Sequence, residues 1–174
     1  MIDELDQAVE TYHAKWHKLM SGRKDKTFFK QLKPVAVGWK VANRAEYDRI
    51  RAELHDHADR IIETWMNDRW IAKVHLKNAL DCGITLVKIM ERRPDSSDAL
   101  GLDHLDFYSP VVKDAEGILQ QEPNLKWSWE NNDVIEGYDW ISIWFNGTEA
   151  KLKADTVLDI IVAELNEINR KIKN

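Results

Sequence analysis

The chain has 174 residues, of which 44% are hydrophobic and 32% charged, and its formal net charge is −5. This composition is ordinary for a folded protein and excludes global disorder, and the acidic balance argues against a nucleic acid partner. No apolar run approaches the roughly 18 residues of a bilayer-spanning helix, so no membrane partner is expected. The acidic start, Met1 to Glu4, is unlike a signal peptide. Cys82 is the single cysteine, which excludes an intrachain disulfide and favours a reducing, cytoplasmic setting.

Apolar spacing predicts the first elements of the chain. Residues 2 to about 20 carry apolar side chains at helical spacing. Residues 35–41 alternate between apolar and other side chains, as a strand does. Asn43 followed by Glu46 is typical of a helix start, because the two side chains can cap the first turn reciprocally.

The helix that begins after Asn43 is predicted to continue its apolar stripe through Ala58 and Ile61. Two strands then follow, at 70–76 and 84–90. This first unit is therefore at least βαββ, with room for one more short strand.

A polar segment at 92–101, rich in charge, Pro, Ser and Gly, is predicted to be a linker, and the pattern restarts after it. A strand, a helix stopped by Pro123 and three more strands are predicted, the strands at 102–108, 125–130, 138–145 and 148–153. A last helix spans 156–172. We therefore expect a single α+β domain over residues 1–174, with two βαβββ-type modules at about 35–91 and about 102–153. The modules form paired curved sheets around a cavity, with added N- and C-terminal helices.

A hairpin turn at Asn146-Gly147 predicts which side chains share a sheet face. A two-residue turn there puts Trp144 opposite Glu149 and Ser142 opposite Lys151. Such a face suits a ligand with an anionic head and a flat body, because ammonium groups attract the anion and indoles stack. The same alternation on the other strands gives the full predicted ligand-binding set, which is Lys40, Lys73, Tyr108, Trp140, Ser142, Trp144, Lys151 and Lys153.

Four stretches resemble the vicinal-oxygen-chelate (glyoxalase/bleomycin-resistance) superfamily, and within it the YecM family. They are WMNDRWIAKVHL (65–76), IMERRP (89–94), LDHLDFYSP (102–110) and GTEAKLKADTVLDIIVAEL (147–165). The resemblance implies a βαβββ module used twice. It also implies one divalent metal ion, held by His and Glu from the first and last strands of each module.

Carried onto this chain, the resemblance names His104 and Glu91 as metal ligands, with His75 as a further candidate. The first strand offers no ligand at 35–38, and Lys151 stands where a glutamate is expected. An ammonium beside a divalent cation is repulsive, which argues against the metal. Glu149 and Asp106 are the candidate catalytic carboxylates.

Three functions remain open from the sequence. The first is a metal-dependent isomerase, lyase or dioxygenase acting on a small molecule. The second is metal-free binding or sequestering of an anionic or aromatic small molecule. The third is a non-catalytic interaction protein. No nucleotide cofactor is expected, and the sequence leaves the oligomeric state open.

Overall fold

A computed structural model describes residues 1–66, 68–109, 112–131, 139–145 and 147–154, together with Leu165 and Asn169. The helices among these residues are α1 (Ile2–Ser21), α2 (Lys26–Gln31), α3 (Arg44–His55) and α4 (Val112–Leu119). None of them is long and apolar enough to cross a bilayer. The strands are β1 (Lys33–Val41), β2 (Ala58–Met66), β3 (Arg69–Leu76), β4 (Leu86–Glu91), β5 (Gly101–Tyr108), β6 (Lys126–Asn131), β7 (Asp139–Phe145) and β8 (Thr148–Lys153). Of the predicted last helix at 156–172, Leu165 and Asn169 are helical and the other positions lie outside the described residues.

The strands form one eight-stranded sheet in the order β2-β3-β4-β1-β5-β8-β7-β6. Within each half, the first strand pairs in parallel with the last, β1 with β4 and β5 with β8. The two halves meet where β1 pairs antiparallel with β5, so the order reads symmetrically outward from that junction. The predicted α+β fold with two βαβββ modules is confirmed, and the modules join edge to edge in a single mixed sheet.

The prediction that Ala58 and Ile61 continue a helix is wrong. Helix α3 ends at His55, and residues 58–66 form β2, which pairs with β3 from Ala58 opposite Leu76 to Met66 opposite Arg69. The apolar positions here fit a helical period, but the segment also holds the β-branched Ile61, Ile62 and Thr64, which favour strands. Pairing with β3 decides the outcome and supplies the missing fourth strand of the first module.

The helices pack on one face of the sheet. The buried side of α1 carries Leu5, Val9, Tyr12, Trp16 and Met20. The Trp16 ring stacks on Phe107 of β5 at 4.7 Å between centroids and contacts Phe145 of β7 at 5.5 Å. Helix α1 thus covers the second module. The opposite sheet face, on which Gly38, His104 and Lys151 lie, is called the groove face below.

We expect Trp16→Ala to lower the free energy of unfolding by about 3–5 kcal/mol, because it removes a fully buried indole and leaves a cavity among aromatic rings. The matched control is Trp65→Ala, since Trp65 is 56% exposed. Chemical denaturation of both variants measures the difference. Equal losses in the two variants would contradict the packing of α1 on the second module.

Candidate functional site

Strand register places two rows of side chains across the groove face. One row runs Lys73, Lys88, Gly38, His104, Glu149 and Trp144, and the next runs His75, Leu86, Ala36, Asp106, Lys151 and Ser142. The hairpin register is the predicted one, with Trp144 opposite Glu149, Ser142 opposite Lys151 and Trp140 opposite Lys153. Lys40 and Tyr108 keep the same alternation on β1 and β5. The predicted side chains of the groove therefore share one face, apart from Glu91.

A buried carboxylate lies at the centre of this face. Asp106 has no exposed surface, and its Oδ2 lies 2.6 Å from Lys88 Nζ and 3.3 Å from Lys153 Nζ. Burial alone would raise the pKa of Asp106, but the ammonium groups of Lys153 and Lys88 outweigh it and hold that pKa well below its usual range. Asp106 is therefore ionised at neutral pH and is a poor proton acceptor. Asp106 also links the two modules through an ion pair, because Lys88 belongs to β4 and Asp106 to β5.

His104 lies over the backbone of Gly38, where the two modules meet. A Cβ atom at position 38 would lie 2.3 Å from His104 Cε1, so only glycine leaves room for the ring. His104 Nδ1 is 2.8 Å from Asp103 Oδ2, and Nε2 is 3.7 Å from Asp106 Oδ1. Burial and the nearby Lys151 ammonium lower the pKa of His104 to about 4, although Asp103 opposes them. The imidazole is thus neutral at pH 7, with Nδ1–H donating to Asp103.

The unprotonated His104 Nε2 then faces Asp106 Oδ1, which accepts no hydrogen bond from the described residues. Two buried hydrogen-bond acceptors that face each other are satisfied when a donor group lies between them. A ligand hydroxyl or a water molecule could donate there.

Lys40 is held by carboxylates at the edge of the groove. Its Nζ lies 2.7 Å from Asp98 Oδ2 and 2.6 Å from Asp103 Oδ1. Asp98 comes from the segment between the modules, where the sequence predicted only a linker. The ammonium of Lys40 is therefore neutralised in place, and Lys40 is a weak candidate for binding an anionic ligand.

The part of the face built by β7 and β8 combines indoles with ammonium groups. Trp140 Nε1–H donates to Ser142 Oγ at 3.0 Å, and Ser142 Oγ–H donates to Glu149 Oε1. Lys151 Nζ lies 5.2 Å from the centre of the Trp140 ring, and Lys153 Nζ lies 5.7 Å from it. An anion held by these lysines would lie beside an indole.

The predicted metal ligands do not come together. Glu91 pairs with Val41 and alternates with Met90, so its side chain leaves the sheet on the helix side, away from His104. Strands β4 and β1 lie between His75 on β3 and His104 on β5. Three strand spacings amount to roughly 14 Å, far beyond ligand distances of about 2 Å. Within the described ranges, no group of three His, Cys, Asp or Glu side chains is arranged to hold a metal.

A second ligand set, made of His104, Asp106 and Glu149, fits a metal no better. Asp106 already has two ammonium groups near its carboxylate. Lys151 Nζ lies 3.6 Å from Glu149 Oε2. A divalent ion placed among Lys88, Lys153 and Lys151 would be repelled by each of these ammonium groups. The donor set of the groove face therefore does not fit a divalent metal.

A cavity of about 440 Å³ lies on the other side of the sheet, between α1 and the strands. Its lining combines polar side chains of α1 with Trp39, Leu102 and Thr148. None of the predicted ligand-binding residues lines it.

The sequence did not reveal three features of the site. These are the space that Gly38 leaves for the His104 ring, and the contributions of Lys88 and Asp103. Lys88 is the one charged residue in the run from Leu86 to Met90 of β4, which was a usable signal, because such a lysine needs a buried partner. The partner, Asp106, is distant in sequence and becomes visible only through strand order.

Comparisons with known proteins place the fold alone. No protein-family model matches the chain, and no curated protein matches its sequence. A structural-genomics protein, EC4020, matches with a TM-score of 0.66 and 13% identity, over 94% of this chain and 88% of that one. Streptomyces coelicolor methylmalonyl-CoA epimerase, in complex with 2-nitronate-propionyl-CoA, matches with a TM-score of 0.48 and 14% identity, over 72% of this chain and 100% of that one.

A putative dioxygenase from Bacillus subtilis matches with a TM-score of 0.45 and 11% identity, over 72% of this chain and 41% of that one. At these identities, shared architecture says nothing of activity. The resemblance to the YecM family stays a prediction.

We expect Gly38→Ala to destabilise the protein by about 1–3 kcal/mol, because the new methyl group forces the buried His104 ring out of place. Gly117→Ala in α4 is the matched control, since a Cβ there meets no atom within 4 Å. The control is expected to stabilise by about 0.5–1 kcal/mol through helix propensity. Thermal and chemical denaturation measure both. A Gly38→Ala variant as stable as the control would contradict the close approach of His104.

The lowered pKa of His104 predicts acid sensitivity in a defined window. The unfolded state takes up a proton near pH 6.5 and the folded state near pH 4, so stability falls as pH drops through that interval, by about 3 kcal/mol. Above pH 6.5 the histidine contributes no pH dependence. Denaturation between pH 7.5 and 4.5 should show a shallower dependence for His104→Gln than for the wild type. His55→Gln, a change at a side chain 76% exposed, should keep the wild-type dependence.

Proposed function

We propose that this protein binds a small organic anion with a flat, apolar body on the groove face, without a metal ion. One observation carries the proposal. Lys88, Lys151 and Lys153 converge from β4 and β8 on one part of the face, around Asp106 and Glu149.

The position of these ammonium groups favours an anion. Lys88 and Lys153 are almost fully buried. Both ammonium groups contact the same carboxylate oxygen, Asp106 Oδ2. In a place of low dielectric, an ammonium group attracts an anion more strongly than at an exposed surface. Lys151 is the reachable member of this group, since its side chain is 19% exposed and a carboxylate or phosphate can approach it.

The indoles set the shape of the ligand. Trp140 is fixed by its hydrogen bond to Ser142, and both are placed by β7. A rigid, partly exposed indole next to ammonium groups suits a flat apolar body joined to an anionic head. Trp144, opposite Glu149 on the same face, extends this surface toward the hairpin.

The metal-dependent alternative would need ligands where the chain has none. Across the junction from His104 the row continues with Gly38 and then Lys88, and Glu91 lies on the helix face. Metal analysis of protein purified without a histidine tag tests this directly. Stoichiometric metal that is lost in His104→Ala would contradict metal-free binding.

Calorimetric titration tests anion binding with 2-naphthoate as the probe and the uncharged 2-naphthamide as its matched ligand. We expect the carboxylate to bind and the amide to bind at least about tenfold more weakly, a loss of about 1.4 kcal/mol. Binding should also weaken with added salt, because its main driving force is charge.

Variants locate the site on the protein. Lys151→Gln is expected to weaken 2-naphthoate binding by about tenfold, because it removes the reachable ammonium. Lys18→Gln is the matched control, since Lys18 is an exposed lysine of α1, on the opposite side of the sheet from the groove face. Equal binding of acid and amide, or equal effects of the two variants, would end the proposal.

A further inference from the structure

We propose that Lys151 is a nucleophilic amine that forms an imine with the carbonyl carbon of an anionic aldehyde or ketone bound on the groove face. This inference rests on the proposed function and specifies its ligand class. It assigns the site a covalent step, with Lys151 Nζ as the reacting atom and its neighbours as the groups that hold the anion.

Lys151 differs in its contacts from Lys88 and Lys40, two other lysines of the groove face. Lys88 Nζ lies 2.6 Å from Asp106 Oδ2, the distance of a strong ion pair. Lys40 lies between two carboxylates at 2.6 and 2.7 Å. Lys151 lies 3.6 Å from Glu149 Oε2, beyond a good hydrogen bond, and its side chain is 19% exposed. Its nitrogen is thus both reachable and loosely held.

The surroundings of Lys151 increase the fraction of its side chain that is neutral amine. Burial, together with the like charges of Lys153 and Lys88, lowers the pKa of Lys151, while Glu149 and Asp106 oppose the shift. A lysine becomes nucleophilic when it is desolvated or placed beside other cations, because only the neutral amine has a free lone pair. The geometry that gives this result is the packing of three lysines from two strands around one carboxylate.

The reaction needs no partner beyond the carbonyl compound. The neutral Nζ adds to the carbonyl carbon, and a carbon–nitrogen bond forms as the carbonyl π electrons move to oxygen. The resulting carbinolamine loses its oxygen as water with the two hydrogens of the amine, which leaves a C=N bond in place of C=O. Lys153, 5.7 Å from the Trp140 ring that Lys151 also covers, is placed to bind the anionic group of the same ligand.

Pyridoxal 5′-phosphate is a suitable probe, because it has a phosphate, a flat ring and an aldehyde. Its alcohol, pyridoxine 5′-phosphate, has the same anion and ring but cannot form an imine. The intact protein is incubated with each, reduced with borohydride, digested and mapped by mass spectrometry. We expect one predominant reduced adduct, on Lys151, formed faster at neutral pH than on Lys18, an exposed lysine of α1, because burial and the like charges of Lys153 and Lys88 lower the pKa of Lys151 and increase its fraction of free amine.

Lys151→Arg separates binding from bond formation, because arginine keeps the positive charge and cannot make the imine. In this variant we expect the pyridoxal adduct to be lost and pyridoxine 5′-phosphate to bind within about threefold of the wild type. Lys18→Arg, at an exposed position of α1, should keep both properties. If Lys151→Arg does not fold, as judged by circular dichroism, the adduct map of the wild type decides.

The outcomes distinguish the two proposals. Binding of pyridoxine 5′-phosphate with no adduct on Lys151 overturns the imine and leaves anion binding intact. Adducts spread evenly over surface lysines also overturn it. If neither phosphate binds, reduction in the presence of phenylpyruvate, an anionic ketone with a flat body, gives the second test. No adduct on Lys151 with phenylpyruvate as well overturns the inference.

Discussion

The buried ion cluster around Asp106 is the interaction on which the two modules most depend. Asp106 stands on β5, its partner Lys88 on β4 and its partner Lys153 on β8, so one carboxylate joins strands of both halves. A carboxylate with no exposed surface is stable only while cations accompany it, and removing one member of such a cluster typically costs about 3–5 kcal/mol. The groove face therefore has little freedom to change one charge without changing the others. Its positive character is a consequence of the way the fold is held together.

The His104 ring lies close to the backbone of Gly38 at the module junction, because glycine leaves room for it. Strands β1 and β5 are hydrogen-bonded neighbours, and Gly38 and His104 face each other across that pair. Because Gly38 has no side chain, the imidazole can lie across the junction, where Asp103 holds one ring nitrogen and the other points toward Asp106. Symmetry between the modules is broken here, since one half supplies a ring and the other supplies the room for it. The two halves therefore do not supply equivalent donors at the junction. The second half supplies one histidine, and lysines surround the carboxylate beside it.

Short stretches of sequence determine much of the architecture, but they do not determine the site. The Asn-Gly dipeptide at 146–147 predicts a register for the last two strands, and β7 and β8 pair in that register, so the sequence alone assigns Trp140, Ser142 and Lys151 to one face. Strand β2 was missed because its apolar spacing also fits a helix, and only pairing with β3 settles it. Glu91 could not be placed, because the end of β4 mixes polar and apolar residues on both faces. The partnership of Lys88 with Asp106 depends on strand order, which local pattern does not contain.

The lysines of the groove face determine which ligands it can hold. A divalent ion and a group of ammonium ions both offer an anion positive charge in a dry setting. The metal chelates paired oxygens at fixed angles and polarises them as a Lewis acid, whereas ammonium groups accept a carboxylate or phosphate in many orientations and polarise it weakly. Charge crowding that would expel a metal also favours loss of a proton from whichever lysine has the weakest carboxylate contact. Among Lys88, Lys151 and Lys153 that lysine is Lys151, because Lys88 and Lys153 contact Asp106 while Lys151 lies 3.6 Å from Glu149, which also accepts a hydrogen bond from Ser142. The features that disqualify the site as a metal centre are thus the ones that make an amine available for covalent chemistry.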